Sequence, residues 1–530
     1  MNKPNFIIIG LTLIALLVNV APNTKTYADD YSQLLRTIPR EYRNGVEKVL
    51  NLASAEWNDG ELIEALNYYP EGSAKHRAAC FLIANMDKHV YVDYVNPDDP
   101  LNPFSPEDTD IDWRREYIYD YSVMSSDLLV ENIEWAFKVR DEFPWCRNLP
   151  EDIFFEYVLP YRSTEEPVHS WRQLMYETYK PLAEGLTNAL EVAEAVNKYN
   201  TSIFHFSDTY YRHPEDRDIP TLLACGMGRC EDMSNLSNYS LWSIGVPTTS
   251  DFTPYWPKGD NNHAWNAVYY NGQWHTFMGC EAATAPVYNG IKSSTFAKVY
   301  RKSFSADPIM PPSPDGTEPP RLMRTPAIDV TAEYSTVSDF ELDVVSPTPA
   351  IYLCVHNFAA WQGVGGAWAN DGHVRFTDVG NDEILYCATQ YVEDETGWGD
   401  HYPVAPPFVL HRNGTIEYIN PCPVSEPVGD ITVTGWIPGG TLDEGIEVTL
   451  FRYVGCQDED QEEDQEEDAV SPMEWKAVGT VTTVSVGETV SATFPATALE
   501  SALYLLSDNP DELRDNSRPF IWKESGIIYY

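Results

Sequence analysis

Two proline-rich segments divide this chain into parts with different hydrophobic patterns. Residues 307–320 contain six prolines, and residues 421–427 contain three. Proline has no backbone N–H and a fixed φ, so neither segment can lie inside a helix or a central strand. A chain of 530 residues is also too long for one ordinary domain. The chain must therefore fold as several domains, and these segments indicate where the later ones begin.

The first 28 residues are predicted to be a signal peptide. Lys3 precedes an apolar run at residues 6–18, and Ala28 places a small residue at the expected cleavage site. The apolar run is too short for a spanning helix, which needs about 20 residues. We therefore expect export to the periplasm or the extracellular space, and no membrane span.

Composition excludes some classes of partner. The chain has 81 acidic and 35 basic side chains, a formal net charge of −46. Such a surface repels phosphate backbones and anionic lipid, so nucleic acid is not an expected partner. Apolar residues make up 43% of the chain, which is enough for packed cores and argues against wholesale disorder.

Residues 29–165 are predicted to form an α-helical domain. Four apolar residues recur there at the spacing of one helix face: Ala79, Leu82, Ile83 and Met86. Residues 114–140 are expected to continue as helix. Residues 170–197 form a further predicted helical stretch, in the part of the chain that follows this domain.

An acidic loop at residues 96–112 raises the question of a metal. Asp108, Asp110 and Asp112 alternate as in a calcium-binding loop. However, Trp113 stands where such a loop needs glycine, and no glutamate closes it. We interpret the segment as a solvated loop and predict neither a metal nor a cofactor for this protein.

Residues 307–424 and 425–530 are each predicted to form an all-β sandwich. Both contain short strand-like runs separated by turn residues at regular intervals. The second contains a run of acidic and glutamine residues at 457–469. This run repels itself and is expected to be a disordered loop, with diffuse cation binding as the alternative.

Cys230 is the candidate nucleophile. It precedes a predicted helix at residues 231–244, and Gly228 permits a sharp approach to that helix. The positive end of the helix dipole is expected to lower the pKa of the thiol and so favour thiolate. The free backbone N–H of Cys230 is expected to point where an oxyanion forms.

His263 is the candidate base. It opens a predicted hairpin whose turn is Asn271-Gly272, the strongest short hairpin signal. If these are the two turn residues, the residue numbers of each cross-strand pair add up to 543. His263 then faces Cys280, whereas His275 points to the other face and is rejected as the base.

The third catalytic member is predicted to be Glu281, with Asp251 as the alternative. Glu281 is one position beyond Cys280, so in perfect register it points away from His263. A one-residue bulge would bring it to the imidazole, and bulges are common beside active sites. Asp251 lies on the neighbouring apolar run.

These residues carry a family resemblance. The set G-R-C-x-D-x-S-x-L, followed by N-H-A-W-N-x-V and N-G-x-W, resembles the transglutaminase-like superfamily. The resemblance implies a papain-type fold with Cys230 and His263 as catalytic residues. The family's catalytic acid commonly lies four residues after the hairpin Trp, where this chain has Met278. However, Gly279-Cys280-Glu281 resembles an exported bacterial branch of the family, in which the acid lies three residues beyond that position.

A segment upstream adds to the resemblance, which covers residues 155–285. Leu159-Pro160-Tyr161-Arg162, Glu166 and Trp171-Arg172 are similar to that exported branch. Arg162 and Arg172 are expected to form structural ion pairs, with binding of a substrate carboxylate as the alternative. The family fold implies an α+β core, placed here at residues 166–306.

The nine cysteines leave an unpaired thiol. A disulfide between Cys225 and Cys230 would inactivate the nucleophile, and Cys280 is a further conceivable redox partner.

The expected function is thiol-dependent hydrolysis of an amide, as by a cysteine peptidase or amidase. The substrate is expected to be a protein, a peptide or a peptide-glycan. The same residues serve a protein-crosslinking transglutaminase, which is one alternative. A catalytically silent peptide- or glycan-binding protein is the other.

Overall fold

A computed structural model describes residues 24–96, 114–209, 216–281, 291–313, 319–393, 399–419, 427–434, 442–454, 474–487, 489–499, 502–509 and 518–530. Most of the predicted signal peptide, the Asp108–Asp112 loop and the acidic run at 457–469 lie outside these residues. Across the described ranges, no helix has both the length and the apolar character needed to cross a bilayer.

The N-terminal part is mainly helical. Its helices are α1 (Thr24–Thr37), α2 (Arg40–Ala55), α3 (Asp59–Tyr68), α4 (Ala74–Ala84), α5 (Asp120–Val123), α6 (Ser126–Glu142), α7 (Pro144–Arg147) and α8 (Glu151–Tyr157). The hydroxyl of Ser73 caps α4 by accepting a hydrogen bond from the backbone N–H of His76 at 3.1 Å. The predicted apolar stripe of this helix is fully buried, with Met86 just beyond its end.

One predicted helical segment is a strand instead. Strand β1 (Val90–Val95) pairs antiparallel with β2 (Arg114–Tyr119). Residues 114–119 were expected to be helical, and that prediction is wrong. The physical reason is that both segments are rich in β-branched and aromatic residues, which favour a pleated pair over a helix.

The middle of the chain packs helices against an antiparallel sheet. Its helices are α9 (Arg172–Ala183), α10 (Ala189–Ile203), α11 (Ile219–Cys225), α12 (Cys230–Trp242) and α13 (Thr331–Tyr334). Its strands are β3 (His205–Phe206), β4 (Met227–Gly228), β5 (Thr248–Thr253), β6 (His263–Tyr270), β7 (Gln273–Phe277), β8 (Tyr300–Lys302) and β9 (Ala327–Asp329). The main sheet has the order β7-β6-β5-β8-β9. The stretch predicted at 170–197 is two helices, because Gly185 turns the chain at φ +80°.

The N-terminal helices and α9–α12 share one hydrophobic core. A single cluster of buried side chains extends from Leu34 to Phe304. The predicted domain boundary at residue 165/166 therefore crosses a continuous core. The opposite face of the main sheet is covered by a separate aromatic cluster around Trp265 and Phe296.

The C-terminal part is built from β-strands. They are β10 (Val337–Asp343), β11 (Ala350–Asn357), β12 (Ala360–Trp368), β13 (His373–Gly380), β14 (Ile384–Glu393), β15 (Gly399–Pro403), β16 (Phe408–Leu410), β17 (Ile416–Tyr418), β18 (Gly429–Val433), β19 (Glu447–Val454), β20 (Glu474–Thr482), β21 (Val484–Val486), β22 (Thr489–Ala498), β23 (Leu503–Ser507), β24 (Phe520–Lys523) and β25 (Gly526–Tyr529).

These strands form sheets stacked face to face. The pair β10-β13 packs on the sheet β12-β11-β14-β16-β17, to which β15 is added, around one apolar cluster. The sheet β18-β22-β21 packs on β20-β19-β23-β24-β25 around another. A third cluster joins the two larger sheets, with Tyr352 on one side and Tyr453 on the other.

Candidate active site

Cys230 is the first residue of α12. The carboxylate of Asp232 caps this helix by accepting a hydrogen bond from the backbone N–H of Arg229 at 2.8 Å. Gly228 is required just before the cap, because a Cβ there would lie 2.4 Å from a guanidinium nitrogen of Arg217. The start of the nucleophile helix is therefore tightly constrained.

Buried ion pairs hold this helix start in place. Asp232 is fully buried and binds Arg217 at 3.1 Å and the Nε of Arg229 at 3.3 Å. Arg229 also binds Asp216 at 2.6 Å. These paired charges lower the pKa of Asp216 and raise that of Arg229. No role was predicted from the sequence for these charged side chains. The one sequence feature that pointed to them was that Asp232 belongs to the motif around Cys230.

The predicted hairpin register is confirmed. The cross-strand pairs of β6 and β7 extend from Tyr270↔Gln273 to Asn266↔Phe277, and the two residue numbers of each pair add up to 543. The turn is Asn271-Gly272, both with positive φ, as a tight primed turn requires. His275 pairs with Val268 near the turn, far along the strand from His263.

Glu281 lies beside His263. The Nε2 of His263 is 4.0 Å from the Oε1 of Glu281. The chain reaches this position through Cys280, which has a left-handed φ of +61°, rather than through a bulge within the ladder. The side chain of Asn197 in α10 holds the turn by accepting a hydrogen bond from the Cys280 backbone N–H at 2.9 Å. Nothing in the sequence near the motif pointed to Asn197.

Asp251, the alternative third member, is engaged elsewhere. Its two oxygens accept hydrogen bonds from Arg301 at 2.8 Å each, and it also binds the hydroxyl of Tyr334. Asp251 and Arg301 are both buried. Arg301 continues to Glu333 at 3.0 Å. The structure thus brings Glu281 to His263 and places Asp251 in a buried structural network.

The thiol of Cys230 lies next to the first residues of β6. Cys230 packs in one buried apolar cluster with Ala264, the neighbour of His263. Within the described residues, no hydrogen bond joins the thiol to the imidazole. The thiol is 3% exposed, whereas the side chains of His263 and Glu281 are 18% and 34% exposed.

Burial sets the protonation states. Desolvation raises the pKa of Cys230 to about 12 and lowers the pKa of His263 to about 4. Desolvation also raises the pKa of Glu281. The predicted depression of the thiol pKa by the helix dipole is therefore wrong, because removal from water outweighs the dipole here. At neutral pH the resting pair is a thiol and a neutral imidazole.

One family model matches part of this chain. The model of the transglutaminase-like superfamily matches residues 177–277, which include Cys230 and His263. The chain contains a transglutaminase-like domain. Glu281 follows the matched region by four residues. No curated protein matches the sequence.

Solved structures show distant similarity to this chain. A candidate cysteine protease from Cytophaga hutchinsonii is 14% identical, with a TM-score of 0.21 and coverage of 27% of this chain and 47% of that one. The chain thus spans about half the length of the Cytophaga protein. Red sea bream transglutaminase is 9% identical, with a TM-score of 0.20 and coverage of 85% of this chain and 78% of that one.

The proline-rich segment packs against the apolar cluster that contains Cys230. We call residues 308–313 and 319–326 the strap. Its two halves pair through backbone hydrogen bonds, from Ile309 N to Thr325 O at 3.1 Å and from Met310 N to Met323 O at 2.8 Å. Ile309 and Leu322 pack against the apolar cluster that contains Cys230. The cluster itself consists of Cys230, Phe252, Ala264, Tyr300 and Ala327, all of them buried.

The other cysteines of the described chain do not engage the nucleophile. Seven cysteines are described, and all are free thiols, including Cys225 and Cys230. The sulfur of Cys280 lies 3.5 Å from the Ser237 hydroxyl and 3.4 Å from the Met233 carbonyl. It therefore points towards α12. The described residues also contain no group of three His, Cys, Asp or Glu side chains placed to hold a metal.

Arg162 and Arg172, which precede the matched region, form structural contacts. Arg162 binds the buried Asp120 at 3.1 Å. Arg172 donates to the carbonyls of residues 158–160 and to the Asn132 side chain at 2.6 Å. Both side chains are buried, so neither is available to a substrate carboxylate.

Proposed function

We propose that this protein is an exported, thiol-dependent amide hydrolase, a cysteine peptidase or amidase of transglutaminase-like type. The observation that carries the proposal is the 4.0 Å approach of Glu281 to His263, next to a thiol at the start of α12. A nucleophile, a base and an orienting acid are the parts that acyl transfer needs.

The neutral resting state dictates the order of proton transfers. His263 takes the thiol proton as the sulfur of Cys230 attacks the amide carbonyl, and a C–S bond forms. The N–H groups of the first turn of α12 have no intrahelical acceptor and are suited to stabilise the oxyanion. His263 then donates its proton to the leaving amine, and Glu281 stabilises the transient imidazolium.

The fate of the acyl-enzyme decides between hydrolysis and crosslinking. Water releases the acid and completes hydrolysis, whereas an amine forms a new amide. The same three residues serve both outcomes. We favour hydrolysis for an exported chain, with the C-terminal sheets acting as two β-sandwich domains that position a protein, peptide or peptide-glycan substrate.

Cleavage of a peptide library tests the proposal, with fragments identified by mass spectrometry. Cys230→Ala and His263→Ala are expected to abolish cleavage, and Glu281→Gln to reduce it, by a factor of about 10² or more for each catalytic group. Cys225→Ala is the matched control and should cleave as the parent does. Cleavage that survives Cys230→Ala would rule out this mechanism. A dansylated amine added in parallel should be incorporated more slowly than the peptides are hydrolysed; faster incorporation would favour the crosslinking alternative.

The burial of Cys230 favours a second candidate, a catalytically silent binding protein. A thiol that is 3% exposed with a pKa of about 12 is a poor nucleophile in the resting state. This candidate predicts that Cys230→Ala leaves peptide or glycan binding unchanged and that no amide in the library is cleaved.

A further inference from the structure

The loop that precedes His263 meets the C-terminal strands. Residues 254–262 connect β5 to β6, and His263 is the first residue of β6. Asn357, the last residue of β11, contacts this loop and is fully buried. The candidate base therefore follows directly after a segment that touches a distant part of the chain.

The side chain of Asn357 makes four hydrogen bonds with the backbone of this loop. Its NH₂ group donates to the carbonyl of Trp256 at 3.0 Å, of Gly259 at 2.7 Å and of Asn261 at 3.1 Å. Its oxygen accepts a hydrogen bond from the backbone N–H of Asn261 at 3.0 Å. Because a displaced loop would leave a buried amide without partners, these hydrogen bonds fix the loop in one position.

Two further hydrogen bonds join the same loop to the C-terminal strands. The backbone N–H of Phe358 donates to the Asp260 carboxylate at 2.9 Å, and the ammonium group of Lys258 donates to the Asp382 carbonyl at 2.8 Å. Phe358 and Ala359 form the turn between β11 and β12, with φ of +51° and +56°. Side chains of this kind rarely adopt a positive φ unless their surroundings hold them in it. The end of the β11–β12 hairpin is therefore fixed against the loop.

The loop supplies an aromatic ring beside His263. The Trp256 ring stacks on the imidazole, with 6.1 Å between the ring centres and 27° between the planes. The Trp265 ring, on β6, lies 5.9 Å from the imidazole centre. Among the described residues, no hydrogen bond fixes either ring nitrogen of His263, and Glu281 lies at 4.0 Å. The position of the imidazole therefore depends on its backbone and on these two rings.

We propose that Asn357 is a positioning residue of the active site, which fixes the loop at residues 254–262 and through it the Trp256 ring beside His263. The inference rests on the proposed function, in which His263 is the base. It adds that the C-terminal strands complete the active site, because they supply Asn357. A misplacement of about 1 Å at a reacting group can cost a factor of about 10² in rate.

Two measurements on the full chain carrying Asn357→Ala test the proposal. The first is the rate at which diethyl pyrocarbonate modifies His263, mapped by mass spectrometry and divided by the rate at the exposed His373. This ratio should rise at least about fivefold, the factor that one lost hydrogen bond contributes. The second is cleavage of a library peptide that the parent cleaves. Its kcat should fall at least about tenfold while KM stays within about twofold, because proton transfer is impaired and binding is not.

Asn132→Ala is the matched control. Asn132 is also a buried asparagine whose NH₂ group donates to a backbone carbonyl, that of Leu159 at 2.8 Å, but it lies in α6 and has no hydrogen bond with the loop. This variant should lose stability but keep the modification ratio and kcat. Asn357→Asp is the second test variant, since it keeps the shape and the acceptor of Asn357 but removes the donated hydrogen bonds. It should change both measurements in the same direction as Asn357→Ala.

Four results would overturn the proposal. They are an unchanged modification ratio in a folded Asn357 variant, an unchanged kcat in such a variant, equal effects of Asn132→Ala and Asn357→Ala, and failure of both Asn357 variants to fold in thermal unfolding, which would assign Asn357 to stability alone. A parent protein that cleaves no peptide would contradict the proposed function instead. The modification ratio would then still decide whether Asn357 positions His263.

Discussion

The protonation state of Cys230 gives a sharp prediction about its reactivity. A free cysteine has a pKa of about 8.5, and burial raises the pKa of this thiol to about 12. The difference of about 3.5 pH units reduces the thiolate fraction about 3,000-fold at neutral pH. Since thiolate is the reactive form, iodoacetamide should alkylate Cys230 at least about 1,000-fold more slowly than a free thiol.

Site-mapped alkylation between pH 6 and pH 9 measures this rate. Cys225, a half-buried thiol of the same chain, is the internal comparison, and Cys230 in urea is the control for chemical competence. His263→Ala is expected to leave the slow rate unchanged, because a neutral imidazole does not stabilise a thiolate. Leu322→Ala should accelerate alkylation, because it loosens the packing against the apolar cluster that contains Cys230.

A specific result would refute this reasoning. If Cys230 reacts faster than Cys225 at pH 6, and if His263→Ala removes that reactivity, a thiolate–imidazolium pair exists in the resting protein. Burial would then have been outweighed by the helix dipole and the ion pair. The proton-transfer order proposed above would have to start from charged partners.

Three further predictions concern stability, each measured by urea unfolding. Asp251→Asn should cost about 3 kcal/mol, because it leaves the buried charge of Arg301 with one carboxylate fewer; an unchanged midpoint would contradict a structural role. Gly228→Ala should cost about 1–3 kcal/mol, since its Cβ would lie 2.4 Å from a buried guanidinium nitrogen, whereas Gly60→Ala has open space and should not destabilise. Burial lowers the pKa of His356 to about 3 from 6.5, so the unfolded state binds more protons between these values and stability falls as pH drops below 6.5. The loss from pH 7 to pH 5 should be about 2 kcal/mol, and His356→Gln should remove that part of the slope.

Local chemistry explains which parts of the site were predictable. A two-residue Asn-Gly turn determines which residues of the hairpin pair, so the register of β6 and β7 followed from the turn alone. The helix after Cys230 followed from its apolar spacing. Both features depend on residues that are close in the chain, which is where sequence patterns are most informative.

The parts that escaped prediction depend on distant residues. The cluster that buries Cys230 includes Tyr300 and Ala327, which are far along the chain, and this burial reverses the expected direction of the thiol pKa shift. Strand β12 shows little strand pattern in its sequence, because its three glycines, at positions 363, 365 and 366, weaken any such pattern. At Gly366 the reason is close packing, since a Cβ there would lie 2.4 Å from the sulfur of Met310.

The strap connects two features of this molecule. Met310 and Met323 are buried in the cluster between the C-terminal sheets, and Ile309 and Leu322 pack against the apolar cluster that contains Cys230. Cys230 is only 3% exposed, so turnover requires the packing around it to loosen, which includes the contact of the strap with its cluster. Anchoring by two buried methionines makes that loosening costly, since each contributes about 1.5–3 kcal/mol of apolar burial. Slow thiol chemistry in the free protein is therefore expected for an enzyme and for a binding protein alike, so alkylation of the free protein does not separate the two, whereas cleavage of the peptide library does.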